Sequence, residues 1–144
     1  MGYHADVYKG LADLIIAALP SDMPTFNALT VEEQELDRHA RSVVILREGI
    51  DFDPPPEINP QTEVKSQGQA WDWTLYVTGG GGQARSAGRG DEVDLYLEQI
   101  QNALNAQRPT TECGPLQIVS EDIEGRSGAT VTYSQRWTHR RRAG

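Results

Sequence analysis

The chain has 144 residues, with 13 Lys and Arg against 21 Asp and Glu, and its formal net charge is −8. That length fits one domain and is enough for a core without disulfide bonds. The charge excludes a general nucleic-acid binder, which needs many cations to displace counterions from phosphates. The single cysteine, Cys113, cannot form an intramolecular disulfide, and no CxxC motif accompanies it. Cysteine usage therefore favours synthesis in a reducing cytoplasm.

The N-terminal sequence MGYHADVYKG lacks the basic and apolar regions of a signal peptide. No apolar stretch approaches the roughly 20 residues of a membrane span. The sequence therefore predicts a protein with no membrane partner.

The first predicted element is a helix over residues 5–19. Its apolar residues recur at helical spacing and form one stripe, and Pro20 ends the helix. The stripe predicts packing against a sheet or another helix. Its members are Val7, Leu11, Leu14, Ile15, Ala18 and Leu19.

Three predicted strands follow. Residues 25–29 predict a short strand. Residues 31–40 predict either a short polar helix or an extended arm, and the helix is suggested by a capping pair, Thr30 and Glu33. Residues 42–48 contain a continuous apolar run, typical of a strand buried on both faces. Residues 71–78 alternate apolar and polar side chains, so that strand has one buried face.

Two long loops separate these elements. Residues 50–69 contain a triple proline and Pro60, which forbid a regular ladder and favour a rigid connector or an arm that docks on a neighbour. Residues 79–90 begin with four glycines and predict a mobile loop.

The second predicted helix covers residues 91–106 and opens with Asp91, Glu92 and Asp94. Residues 116–123 and 129–137 predict a hairpin whose turn starts at Glu124. The predicted fold class is α+β: one domain over residues 1–144, with a mixed, mostly antiparallel sheet of four to five strands, two main helices packed on it, and long loops. Residues 139–144 are expected to form a basic tail.

No cluster of residues has the spacing of an active site. The glycine loop lacks the Gly-Lys-Ser/Thr ending of a phosphate-binding loop. The three histidines, His4, His39 and His139, are scattered and predict no metal site. No catalytic residue, cofactor or metal is predicted, and the protein is expected not to be an enzyme. The tryptophans favour sheet core over base stacking. They are Trp71, Trp73 and Trp137.

Charge is unevenly distributed along the chain. Acidic residues recur near residues 32–37, 48–57 and 91–94, while arginines concentrate near the C-terminus. Such runs fit either a solvated surface or head-to-tail pairing between copies. The candidate interface residues are Arg85, Arg89, Arg136, Arg140, Arg141, Arg142, Asp51 and Asp53.

The order of the elements resembles that of the tail terminator (tail completion) proteins of tailed bacteriophages, of the Mu-like and lambda minor-tail-protein-U-like kind. The resemblance covers most of the chain. Its features are the helix ending in Leu19-Pro20, the strands over 42–46 and 71–77, the helix over 95–104 and the hairpin that begins at Leu116.

This resemblance implies a subunit of a homohexameric ring that caps the finished tail tube, stops its elongation and presents a docking surface to a neck or head-completion protein. DNA would pass through the lumen without specific binding, and the net negative charge fits such a conduit. The protein would be assembled in the host bacterial cytoplasm and located in the virion, in its tail or neck. The alternatives are a head-side neck protein (stopper or adaptor), a monomeric α/β binding module and, last, a small enzyme.

Two hypotheses about assembly follow. The first is that residues 79–90 become ordered on contact with the tube or a neighbouring subunit, with Arg85 and Arg89 meeting carboxylates there. The second is that the C-terminal arginines form ion pairs across the ring interface, so that truncation after Thr138 weakens assembly.

Overall fold

The computed structural model describes residues 2–32, 41–53, 68–80, 92–127 and 130–141. Two helices and five strands make up the fold. In chain order they are α1 (Tyr3–Ala18), β1 (Thr25–Asn27), β2 (Ser42–Phe52), β3 (Gln69–Gly80), α2 (Glu92–Leu104), β4 (Gln117–Ser127) and β5 (Thr130–Arg141).

The five strands form one mixed sheet in the order β1-β2-β3-β5-β4. β1 runs parallel to β2, and the other neighbours are antiparallel. The predicted α+β class, with two helices on a mostly antiparallel sheet, is therefore confirmed. The short strand predicted from residue 25 is present over Thr25–Asn27.

Both helices pack on the same face of the sheet, which we call the helix face. The Tyr3 ring of α1 meets the Trp71 ring of β3 edge to face, with centroids 5.4 Å apart. Gln135 of β5 donates a hydrogen bond of 3.1 Å to the Leu97 carbonyl of α2. Most of the stripe predicted for the first helix is buried, and α2 buries Val93, Tyr96, Leu97, Ile100 and Leu104. The apolar core therefore lies between this face and the helices.

The alternation predicted for β3 is confirmed, since Trp71, Trp73, Leu75 and Val77 are all buried on the helix face. The three tryptophans belong to this core, each no more than 2% exposed. β2 departs from the prediction, because Val44 and other residues of its second face are only half-buried. That second face of the sheet has no described helix to cover it.

The strands are longer than their side-chain patterns predict. β2 continues to Phe52 and β3 begins at Gln69, so the loop predicted over 50–69 is shorter at both ends. β3 also includes Gly79 and Gly80, which were predicted as loop. Their ladder partners are Val131 and Thr130 of β5. Backbone pairing with a long neighbouring strand does not require side chains, which explains the extension.

The C-terminal hairpin also differs from the prediction. β4 runs through Ser127, so the turn predicted to start at Glu124 is strand instead, with register shifts that accommodate the polar sequence. β5 runs to Arg141, so the first residues of the predicted basic tail belong to the sheet. Most of the predicted polar helix or arm over 31–40 lies outside the described residues.

Two glycines allow close approach between layers. A Cβ on Gly10 of α1 would lie 2.7 Å from the carbonyl carbon of Pro109 and closer still to its oxygen. A Cβ on Gly79 of β3 would lie 3.2 Å from the Tyr96 ring and from the Val93 Cα of α2. These glycines therefore let α1 touch the segment after α2, and let α2 touch the sheet.

Candidate assembly surfaces

The structure places several predicted interface residues in contacts within one chain. Arg140 Nη2 donates to both carboxylate oxygens of Asp53 at 2.7 Å each, which ties the end of β5 to the end of β2. Arg141 lies 3.7 Å from Glu112 and stacks its guanidinium 3.6 Å from the centre of the Tyr3 ring. These two arginines already have partners in their own chain, which weakens the hypothesis that they pair across a ring interface.

Of the remaining predicted interface residues, the structure describes Arg136 and Asp51. Arg136 is exposed on β5, on the face of the sheet that no described helix covers. Asp51 is exposed on β2. Arg85, Arg89 and Arg142 lie outside the described residues, as does most of the glycine loop that the first hypothesis concerns.

The outer face of the sheet is polar and carries paired carboxylates. Thr74 donates to Glu48 at 2.8 Å, and Ser134 donates to Glu124 at 2.6 Å. Burial, followed by the charges of Glu48 and Glu124, raises the pKa of the neighbouring Tyr76. A shallow, solvent-open depression of about 440 Å³ lies among these side chains and also contacts Arg136. The threonine and serine hydroxyls thus fix the carboxylates that give this face its negative charge.

A second surface is the edge of the sheet at β4, which pairs with β5 alone among the described strands. We call it the β4 edge: Val119, Glu121 and Ile123. Val119 and Ile123 are large apolar side chains that are 58% and 57% exposed. Glu121, between them in the chain, is also exposed. Because sheet edges present unpaired backbone groups, an exposed edge with apolar side chains is a natural site for contact with another chain.

A third surface is a groove of about 350 Å³ between α1 and the opposite edge of the sheet. Its walls are mostly apolar, and Leu29 at its rim is 68% exposed. Arg47, at one side, lies 5.9 Å from the centre of the Trp71 ring. We call this surface the α1 groove. It is lined by His4, Ala5, Tyr8, Lys9, Asn27, Leu29, Arg47 and Trp73.

A buried cluster joins Cys113 to His139. Tyr3 and Thr110 each place a hydroxyl 3.2 Å from the Cys113 sulfur. Trp73 Nε1 donates to His139 Nε2 at 3.0 Å. The cysteine and the histidine are each 2% exposed. The cluster therefore joins α1, β3, β5 and the segment before β4, and its sulfur is buried.

The environment of Cys113 changes its acidity. Burial raises the pKa of the Cys113 thiol, but interactions with His139, Thr110 and Tyr3 outweigh burial and lower it to about 7. Burial, with the hydrogen bond to Cys113, raises the pKa of Tyr3. The folded state thus favours the thiolate at a pH where the unfolded chain keeps the thiol.

This pKa difference predicts a pH-dependent stability. The folded pKa of Cys113 lies below its ordinary value of 9.0, so the unfolded state binds more protons between about pH 7 and pH 9. The free energy of unfolding should rise across that window by roughly 1–3 kcal/mol more in the wild type than in Cys113→Ser. Urea unfolding at several pH values measures this, and parallel curves for the two proteins would contradict it.

The sequence prediction missed this cluster because it placed His139 in a basic tail. The signal was present in the alternation of β5, because Gln135 and His139 fall at the same two-residue period as Val131, Tyr133 and Trp137. Gln135 is fully buried, donates to Glu121 at 2.8 Å and accepts from Trp137 at 3.1 Å. Because Gln135 and His139 are polar residue types, the alternation of buried positions in β5 was not evident at either residue.

Metal and membrane sites were searched in the described parts of the chain. There, no group of three or more His, Cys, Asp or Glu side chains is arranged to hold a metal ion. None of the helices in those parts is both long and apolar enough to cross a lipid bilayer.

The fold is shared with a solved virion component. One similar structure is a chain from the "Virion of native gene transfer agent (GTA) particle". The match covers 96% of this chain and 93% of that chain, with 12% sequence identity and a TM-score of 0.52. No protein-family description matches the sequence, and no curated protein matches it either. The likeness is therefore one of fold over nearly the full length of both chains.

Proposed function

We propose that this protein is a structural subunit of a phage-type virion, and more specifically a tail terminator whose ring caps the tail tube. The observation that carries the proposal is the fold shared along nearly its whole length with a chain of the gene transfer agent virion. The role is non-enzymatic and the location is the virion.

The order of elements in the sequence supports the same proposal independently. The features that resemble tail terminator proteins were the first helix, the two apolar strands, the second helix and the C-terminal hairpin. All of these elements are present in the fold. A fold alone does not define a function. The proposal therefore also requires surfaces on the subunit that can bind neighbouring copies.

The subunit offers surfaces suited to assembly. The β4 edge and the α1 groove both expose apolar side chains, and they lie at opposite edges of one sheet. A closed ring requires heterologous contacts in which two different surfaces of the same subunit meet. Partners at the two open sides of such a ring would be the tail tube protein and a neck or head-completion protein.

The acidic outer face suits a particle through which DNA passes. The carboxylates of Glu48, Asp122 and Glu124 surround one shallow depression on this face. A lumen lined by such groups would repel phosphates and would not retain DNA. We propose that this face, and no basic surface, is turned toward the DNA.

The test is the mass of the purified protein by light scattering across a wide concentration range, with negative-stain images of the same samples. We expect rings of about six subunits that bind the tips of isolated tail tubes and prevent further addition of tube protein. A protein that remained monomeric, both alone and with tubes, would contradict the proposal.

The same experiment distinguishes the tail terminator from a head-side neck protein. A stopper or adaptor would form a ring that does not bind free tails and binds the portal complex of filled heads. A ring with that behaviour would support a role in the virion as a head-side neck protein and would contradict the tail terminator assignment.

A further inference from the structure

We propose that the β4 edge of one subunit docks into the α1 groove of a second copy of this chain, and that this contact, repeated head to tail, closes the ring. The inference rests on the proposed ring and identifies the residues that hold it together. As the main subunit interface it replaces the C-terminal arginines, of which Arg140 and Arg141 have partners within their own chain.

The groove has the chemistry of an acceptor for an apolar and acidic segment. Its apolar walls include Tyr8, Leu29 and Trp73, and Arg47 supplies a cation. Lys9 also lines it, and its ammonium group lies 3.4 Å from the Asp13 carboxylate of its own chain. None of the described residues that line it is a carboxylate. In a chain with a net charge of −8, a surface with this composition is unusual and selects a partner that carries negative charge beside apolar groups.

The β4 edge has the complementary chemistry. Val119 and Ile123 supply two exposed apolar side chains, and Glu121, which is opposite Gln135 and so on the same face as Ile123, supplies a carboxylate beside them. A hydrogen bond from Gln135 to Glu121 holds that carboxylate in place before any partner arrives. Fixed groups lose less conformational freedom on binding, which favours the contact.

The two surfaces lie in positions that allow a ring. In antiparallel pairs, residues directly opposite each other point to the same face of the sheet. Ile123 is opposite Tyr133 and Arg47 is opposite Trp73, so both belong to the helix face. β4 is one edge strand and β1, beside the groove, is the other. A subunit can therefore bind one neighbour at each side with the same orientation of its helices.

The first experiment introduces a carboxylate into each surface. Leu29→Asp alters the groove and Ile123→Asp alters the β4 edge, both at exposed positions where the fold does not depend on the side chain. Each variant should require about tenfold more protein, or greater, for half of the subunits to enter rings. The matched control is Ile16→Asp, which changes an apolar side chain of 53% exposure on α1 that lines neither the groove nor the β4 edge.

The second experiment mixes the two variants. The Leu29→Asp protein keeps an intact β4 edge and the Ile123→Asp protein keeps an intact groove, so one contact remains possible between them. At near-millimolar concentration, sedimentation velocity should show each variant alone as a monomer and the mixture as a one-to-one dimer. Circular dichroism of each variant, identical to the wild type, confirms that the fold is kept.

The outcomes separate the inference from the proposed function. Wild-type rings with no loss in either variant, or a mixture that stays monomeric, would overturn the docking contact and leave the ring intact. Loss of rings in the Ile16→Asp control to the same extent would also overturn it. A wild type that forms no ring under any condition would overturn the proposed function, and the docking contact with it.

Discussion

Replacing Gly10 with alanine should destabilise the subunit by about 2–4 kcal/mol. The new methyl group would overlap the Pro109 carbonyl, which is backbone and cannot rotate away. In an isolated helix the same substitution gains about 1 kcal/mol, because alanine is the better helix former. A loss of stability would therefore indicate the packing requirement, and a gain would indicate helix propensity. A urea unfolding curve measures the change in the free energy of unfolding.

The matched control is Gly49→Ala in β2. Among the described residues, no atom beyond Gly49 and its two chain neighbours lies within 4 Å of a Cβ built there, so the free energy of unfolding should change by no more than about 0.5 kcal/mol. A Gly10→Ala protein as stable as the wild type would show that α1 does not approach Pro109 this closely.

Replacing Trp71 with alanine should cost about 3–5 kcal/mol, because a fully buried ring is removed from the centre of the sheet. The ring stacks against Trp73 at 6.2 Å and His139 at 5.7 Å, and it contacts Tyr3 and His4 of α1. Removal leaves a cavity and frees the first turns of α1 from the sheet. Thermal unfolding followed by tryptophan fluorescence and circular dichroism measures the loss.

Two comparisons make this prediction specific. Phe52→Ala removes an aromatic ring that is 58% exposed and should change stability little. Trp71→Phe keeps part of the stacking and should lie between the wild type and the alanine variant. Equal stability of Trp71→Ala and Phe52→Ala would contradict the central position of Trp71.

The fold class could be predicted from sequence because side-chain periodicity is a local signal. Helical spacing in α1 and α2 and alternation in β3 each arise from burial on one side of an element. Strand ends could not be predicted in the same way. Gly79, Gly80 and residues 124–127 belong to strands through backbone pairing with β5, and this pairing depends on the partner and not on their own residue types.

The surfaces were less predictable than the core. Arg140 and Asp53 were predicted as interface residues, and within one chain they contact each other because β5 and β2 end at the same side of the sheet. The α1 groove draws residues from α1, β1, β2 and β3, which no spacing in the sequence relates. Only the fold brings Lys9, Arg47 and Leu29 to one place.

The position of β5 in the sheet determines when, during synthesis of the chain, the sheet of the subunit can be completed. β3 lies at the centre of the sheet, and one of its two partners is β5, which is synthesised after every other described element. Pairing between distant segments carries the entropy cost of closing a long loop and slows folding. The sheet, and with it the contact between α2 and Gln135, is completed only when the last strand has left the ribosome. A nascent chain therefore has no finished sheet, and its β4 edge takes its place only after β5 has been released to pair with β3 and β4.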